Sequence, residues 1–150
     1  MSDTKNEKNE KNEIEELLPH RKPFLFVDEV VQAEEGRIAA RYRFTEQEFF
    51  FAGHFPQYPV VPGVILIETM AQAGGAGLRK AGALGGDALF FLASVDKVKF
   101  RRQVRPGEEV RLEIENLRVS QKMIKQAGKA FVGDECAAEA EWLCVVQNAP

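Results

Sequence analysis

His54 and Glu68 are the two side chains in this sequence best suited to exchange protons with a substrate. His54 stands in a proline-bounded loop, Gly53-His54-Phe55-Pro56, followed by Pro59 and Pro62. Glu68 is the one charged residue between His54 and Arg79, set among apolar and small residues. A helix that is apolar nearly all round is a buried helix, and a carboxyl inside one is costly unless it is paired, hydrogen-bonded or kept protonated. A weakly basic imidazole and a carboxyl held protonated by burial make a general base and a general acid. Taken singly, each residue also reads as structural, His54 as a hydrogen-bonded loop residue and Glu68 as an anchor for backbone. Local spacing cannot join them, because Pro56, Pro59 and Pro62 intervene. The fold or a second copy of the chain must do so.

The start of the helix adds a third element. Gly63 follows Pro62, and the first N–H groups of a helix, here those of Gly63 and Val64, have no intrahelical partner. Gly63 has no side chain to hold a ligand away, so a carbonyl oxygen gaining negative charge fits against these donors. A base, an acid and an oxyanion site together suit removal of a proton beside a carbonyl with loss of a neighbouring hydroxyl. That reaction is a dehydration.

The elements that must position these groups follow from patterning. Lys5-Asn6-Glu7 repeats twice more, through Glu13, with no apolar residue to bury, so residues 1–13 are expected to be a disordered polar tail. A short helical turn with Ile14, Leu17 and Leu18 ends at Pro19. Residues 24–31 and 37–44 read as strands, and a loop rich in phenylalanine, proline and glycine spans 45–63. The helix is expected from Val64 to Lys80, with Arg79 and Lys80 suiting its C-terminal dipole. Further strands are expected at 88–101, 110–115, 123–132 and 136–146, with Gly133-Asp134 as a hairpin turn. Strands on both sides of one buried helix argue for α+β with an antiparallel sheet, in one domain over 14–150. Gly74, Gly75 and Gly77 lie late in the helix, not between a strand and a helix start. They therefore read as places of close backbone approach rather than as a phosphate loop.

Composition narrows the function class. The 150 residues are 45% hydrophobic and 29% charged, with a formal net charge of −3, which is ordinary for a globular domain and gives no reason to expect nucleic-acid binding. The longest apolar run, Val60 to Ile67, is far short of the roughly 20 residues that span a bilayer. The polar N-terminus lacks a signal segment, so no membrane role and a cytoplasmic location are expected. The two histidines, His20 and His54, and the two cysteines, Cys136 and Cys144, fall in no ligand spacing, so no metal or cofactor is expected. The cysteines share one strand face too far apart to bond, and read as reduced thiols.

Gly53-His54-Phe55-Pro56, Pro59-x-x-Pro62-Gly63-Val64, Glu68 and Met70-Ala71-Gln72-Ala73-Gly74-Gly75 resemble the signature of the (3R)-hydroxyacyl-[acyl-carrier-protein] dehydratases, the FabZ-type enzymes. The resemblance extends to Leu17-Leu18-Pro19-His20-Arg21 and Pro23-Phe24-Leu25 upstream, and to Lys99-Phe100-Arg101-Arg102 and Pro106-Gly107-Glu108 downstream. It implies a hot-dog fold, a long central helix wrapped by a curved antiparallel sheet. It also implies a homodimer, commonly in a trimer of dimers, whose sites take the histidine from one chain and the acid from the other. Position by position, His54 matches the catalytic histidine, Glu68 the catalytic acid, and Gly63 the amide that holds the thioester carbonyl, with Val64 beside it. Glutamate at 68 matches the dehydratase-only branch, where the dehydratase/isomerase branch has aspartate. Tyr58, Val61 and Thr69 depart from the usual histidine or polar residue, methionine and alanine, which leaves acyl preference open.

The resemblance implies acyl carrier protein as the partner, trans-2-enoyl thioester as the product, and no cofactor. Lys97, Lys99, Arg101, Arg102 and Arg105 read either as a solvated strand face or as a docking patch for that acidic carrier. His20 reads as structural. Phe49, Phe50, Phe51, Phe55, Phe90 and Phe91 read mostly as core or dimer contacts, with some lining an acyl tunnel. A hot-dog thioesterase and a non-catalytic acyl-thioester-binding module are the competing readings, the first opposed by the His54 motif.

Overall fold

The central helix starts one residue earlier than its pattern suggests, at Gly63, and runs to Lys80 (α1). A computed structural model describes residues 13–149 of the chain. Six strands accompany the helix: β1 (Glu29–Ala33) and β2 (Arg37–Arg43) before it, then β3 (Ala88–Phe100), β4 (Glu109–Val119), β5 (Met123–Val132) and β6 (Glu135–Asn148). They form one antiparallel sheet in the order β1-β2-β4-β5-β6-β3. This is the hot-dog arrangement. The expected tail lies outside the described residues except for Glu13, which opens a helical turn over 13–17 and pairs with Lys80 at 2.6 Å.

The sheet encloses the helix so fully that Ile65, Leu66 and every residue from Thr69 to Leu78 are buried. At Gly74, Gly75 and Gly77 the close approach comes from sheet side chains, not from backbone as the sequence suggested. Gln126, Phe90 and Ile38 respectively occupy the space where a Cβ would stand. Gln126 is buried and joins three elements. It donates to the Gly74 carbonyl (3.3 Å) and to Asn116 (2.8 Å), and accepts the Trp142 indole N–H (3.1 Å).

One expected strand is shorter than its pattern. Residues 24–28 are extended, yet the ladder begins only at Glu29. The backbone of this segment is taken up by the helix instead: Gln72 Oε1 accepts the Phe26 N–H at 2.8 Å and Gln72 Nε2 donates to the Phe24 carbonyl at 3.1 Å. A buried side-chain amide thus replaces a neighbouring strand.

The loop that carries His54 is anchored by an aromatic cluster. Phe50 packs against Phe26, Phe44, Phe49 and Phe51 with ring centroids 4.9–6.2 Å apart. Such pairs add about 0.5–1.5 kcal/mol each beyond the area they bury, enough to hold a loop with few backbone bonds. The His54 N–H then donates to the Phe50 carbonyl at 3.0 Å, tying the loop to that cluster.

Replacing Gln126 with leucine leaves the buried Trp142 indole N–H and Asn116 Oδ1 short of a partner. Each such loss costs about 1–3 kcal/mol. Urea unfolding of the Gln126→Leu variant should show a lower midpoint with an unchanged slope; an unchanged midpoint would show that these bonds contribute nothing net.

Candidate active site

Glu68 stands one turn before Gln72, so the two side chains share a helix face. Gln72 Nε2 donates to Glu68 Oε1 at 3.2 Å while holding the extended 24–26 segment through its other contacts. The carboxyl lines an open cleft of about 340 Å³, together with Pro19, His20, Phe24, Leu89, Phe90, Phe91 and Leu92. Its side chain is 19% exposed, so it is half-buried at a cleft wall rather than sealed in the core. Burial pushes the Glu68 carboxyl above the ordinary glutamate range, and the Gln72 hydrogen bond opposes this more weakly. Burial also pushes the nearby Cys144 thiol, on β6, up to about 12, with the Glu68 charge adding to the effect. Both cysteines are free thiols.

His20 is brought to the same cleft from the loop after the N-terminal turn. Its Nε2 lies 3.7 Å from Glu68 Oε1, and its ring packs on Phe90 with centroids 5.7 Å apart. Burial, then the charges of Arg21 and Arg79, hold the His20 imidazole below its ordinary pKa. Sequence reasoning gave His20 only a structural part. No local spacing links it to Glu68, 48 residues away. The part of Gln72 was findable, because a glutamine four residues after a buried glutamate on a helix is within reach of it.

His54 is not among the residues that line the Glu68 cleft. It sits at the neck of a tight loop in which Val60 donates its N–H to the His54 carbonyl at 3.0 Å, and Phe55 and Tyr58 exchange backbone bonds. Its Nδ1 meets the Val60 carbonyl at 3.1 Å and its ring stacks on Phe55, with centroids 4.2 Å apart. A carbonyl oxygen only accepts, so Nδ1 carries the proton and Nε2 presents a lone pair.

The same loop delivers the chain to the helix start. Pro62 is the N-cap, with no side-chain hydrogen bond to the helix. Ile65 is the first helical residue whose N–H finds a partner, the Pro62 carbonyl at 2.9 Å. Gly63 cannot carry a side chain without displacing Phe100, whose ring would stand 2.8 Å from its Cβ. Val64 is 70% exposed and turns its side chain away from the core.

The basic run is less available than its sequence suggests. Lys97 pairs with Glu141 at 3.4 Å and Arg101 with Glu139 at 3.2 Å, and Arg102 binds Glu108 through two nitrogens at 2.9 and 3.0 Å. Arg105 lies over the Tyr58 ring at 4.1 Å. Lys99 has no carboxylate partner among the described residues. A wider groove of about 500 Å³ crosses β2, β4, β5 and β6, lined by Arg37, Lys97, Glu113, Lys129 and Glu139. It holds neither histidine nor Glu68, and charges of both signs line it. Among the described residues no cluster of metal-ligating side chains occurs, and no helix is long and apolar enough to cross a membrane.

Comparison with known proteins agrees with this geometry. Residues 18–141 match the family described as a FabA-like domain. The 3-hydroxyacyl-[acyl-carrier-protein] dehydratase FabZ of Desulforamulus reducens is 46% identical over 134 residues, covering 89% of this chain and 94% of that protein. The enzyme of the same name from Bacillus cereus is 46% identical over 129 residues, covering 85% and 89%. Among solved structures, a dehydratase heterocomplex from Xenorhabdus doucetiae superposes with a TM-score of 0.76 at 19% identity, over 90% of this chain and 91% of that one. This last likeness concerns the fold.

The raised Glu68 pKa carries a sign that can be tested. Above the ordinary glutamate pKa the folded chain still holds a proton that the unfolded chain has lost. Stability therefore falls as pH rises from the ordinary value through the raised one. Glu68→Gln, which cannot ionise, should unfold at nearly the wild-type urea concentration near pH 4 and at a higher one near pH 8. Parallel curves across that range would show that the carboxyl is not shifted.

Proposed function

The chain belongs to the FabZ-type dehydratases of the FabA-like family, and on that footing we propose that it removes water from a (3R)-3-hydroxyacyl thioester carried on acyl carrier protein, in fatty acid biosynthesis, with His54 as base and Glu68 as acid. The observation that supports the base is the His54 imidazole itself: its Nδ1–H is held by the Val60 carbonyl, so Nε2 is the free lone pair. Nε2 removes the proton on the carbon next to the thioester carbonyl. The electron pair moves toward that carbonyl, whose oxygen gains charge against the Gly63 N–H and the helix N-terminus, with Val64 alongside. The C3 hydroxyl leaves as water with the proton of Glu68, giving the trans-2-enoyl thioester. Proton return from His54 to Glu68 completes the cycle, so the elimination itself consumes no cofactor.

A second copy of the chain makes this arrangement possible. β3 is thirteen residues long and forms one edge of the sheet, with Phe91, Leu92 and Val95 exposed along it. An exposed edge of this length favours pairing with another strand. Leu89 to Leu92 also form one wall of the Glu68 cleft, so a copy seated on that edge lies next to the acid and can supply its own His54 loop. The apolar walls of Phe24, Phe90 and Phe91 suit an acyl chain. Homodimers of this kind, assembled as a trimer of dimers, are the quaternary state we expect.

Incubation of the pure protein with a 3-hydroxyacyl thioester tests the reaction. Enoyl absorbance supports dehydration, and release of free thiol without it indicates hydrolysis instead. His54→Ala and Glu68→Ala should each lower turnover by about 10²–10⁴-fold with the fold intact. Mixed dimers refolded from the two inactive variants should recover activity, since one of their two sites is whole. Mixed dimers that form but stay inactive would place both groups within one chain.

Lys99, free of carboxylates, is the cation of the basic run best able to meet the carrier. Lys99→Glu should reduce kcat/KM for the carrier-linked substrate and leave a small soluble thioester nearly unaffected. Added salt should narrow the gap, since exposed charges are screened beyond about 8–10 Å. Equal loss on both substrates would make the residue structural.

A further inference from the structure

The two oxygens of Glu68 are not equivalent. Gln72 can be oriented in one way only, because its Oε1 accepts the Phe26 N–H and its Nε2 donates to the Phe24 carbonyl. Turning the amide over would set donor against donor and acceptor against acceptor at both contacts. The N–H that Gln72 directs at Glu68 Oε1, at 3.2 Å, is therefore fixed as a donor. The carbonyl oxygen of a protonated carboxyl is a better acceptor than its hydroxyl oxygen, so a donor held at Oε1 favours the acidic proton on Oε2.

His20 approaches that same oxygen, with Nε2 at 3.7 Å, and its buried Nδ1 has no hydrogen-bond partner among the described residues. A proton on Nδ1 would leave a buried N–H unpaired and would point the bare Nε2 lone pair at the lone pairs of Oε1. A proton on Nε2 removes both penalties. The 3.7 Å separation is longer than a hydrogen bond, and the proposal requires that it shorten, as contacts of this kind tighten when substrate fills a site. Burial, and after it the charges of Arg21 and Arg79, disfavour the imidazolium, so the imidazole serves as a neutral donor and not as a charge partner.

We propose that His20 is a positioning residue for the acid: its Nε2–H and the Gln72 amide both address Oε1 of Glu68, which leaves Oε2 as the atom that carries the proton to the departing hydroxyl. This rests on Glu68 being the acid. The same two donors stabilise the carboxylate left behind, which offsets part of its desolvation and makes Glu68 a stronger acid than burial alone allows. Among the described residues, Gln72 from its own helix and His20 from the N-terminal loop approach Glu68, and the Cys144 thiol on β6 lies within the reach of its charge. The second copy's His54 supplies the base, and so the other limb of the pH profile.

The test is a comparison of kcat, KM and the pH profile of kcat for wild type, His20→Phe, His20→Gln and His20→Asn, with Glu68→Gln as the reference and circular dichroism as the check on folding. His20→Phe keeps a ring against Phe90 but has no donor. It should lower kcat by about five- to tenfold, the value of one neutral hydrogen bond, with KM nearly unchanged. The alkaline limb of kcat should move to higher pH, because the acid has lost a group that stabilised its anion. His20→Gln can place its amide near Oε1 and should recover most of the rate and the limb. His20→Asn, whose amide reaches only as far as Nδ1, should resemble His20→Phe, and carries the comparison if the phenylalanine variant fails to fold. Equal losses in all three variants with an unmoved limb would reduce His20 to packing and overturn the proposal, as would wild-type behaviour of His20→Phe or His20→Asn. If Glu68→Gln stays active, the acid assignment falls and this proposal with it. If Glu68→Gln is inactive while the His20 variants match wild type, only the part given to His20 falls.

Discussion

Enclosing an 18-residue helix in one curved sheet is the constraint from which the rest of this protein follows. Apolar and small residues meet it at little cost, and Gly74, Gly75 and Gly77 let Gln126, Phe90 and Ile38 press onto the helix backbone. Every polar group on the helix must then be satisfied by its own turn or by the wall. Thr69 returns its hydroxyl to the Ile65 carbonyl at 2.6 Å. Gln72 serves the 24–26 backbone. Arg79 holds the carbonyls of Leu17, Gly85 and Ala88, fastening the N-terminal turn and the start of β3 to the helix end. Glu68 is the exception: beyond Gln72 it has only a distant imidazole.

That exception is where the chemistry gathers. Burial raises the pKa of a carboxyl that the interior neither neutralises with a cation nor fully hydrates, and Glu68 stands at the wall of an apolar cleft. Desolvation leads the shifts at Glu68, His20 and Cys144 alike. Burial, more than charge, sets the electrostatics of this site. The opposite holds on the surface, where Lys97, Arg101 and Arg102 are matched by glutamates on or near β6 and at Glu108.

The same architecture keeps His54 and Glu68 on separate parts of one chain. The His54 loop is fixed by the Phe50 cluster and by its own backbone bonds, whereas Glu68 opens onto the wall built by β3. β3 is at once that wall and an edge of the sheet.

The helix and five of the six strands were legible in the sequence, and His54, Gly63 and Glu68 stood out there as candidates, because periodicity, prolines and a lone charge in an apolar run act locally. The first strand was not, since whether Phe24 to Asp28 joins the ladder depends on Gln72, nearly fifty residues away, claiming the Phe24 and Phe26 backbone. Likewise the basic run from Lys97 to Arg105 looks free on paper, while the pairing of Lys97 with Glu141 and of Arg101 with Glu139 follows from the β3–β6 register. His20 reaches Glu68 only because the N-terminal loop folds over the helix. Local pattern therefore determined the elements of this protein and singled out its candidate side chains. Their partners, and with them the protonation of the acid, were decided by tertiary contacts, because desolvation and hydrogen bonding depend on what surrounds a group in space and not on what precedes it in the chain.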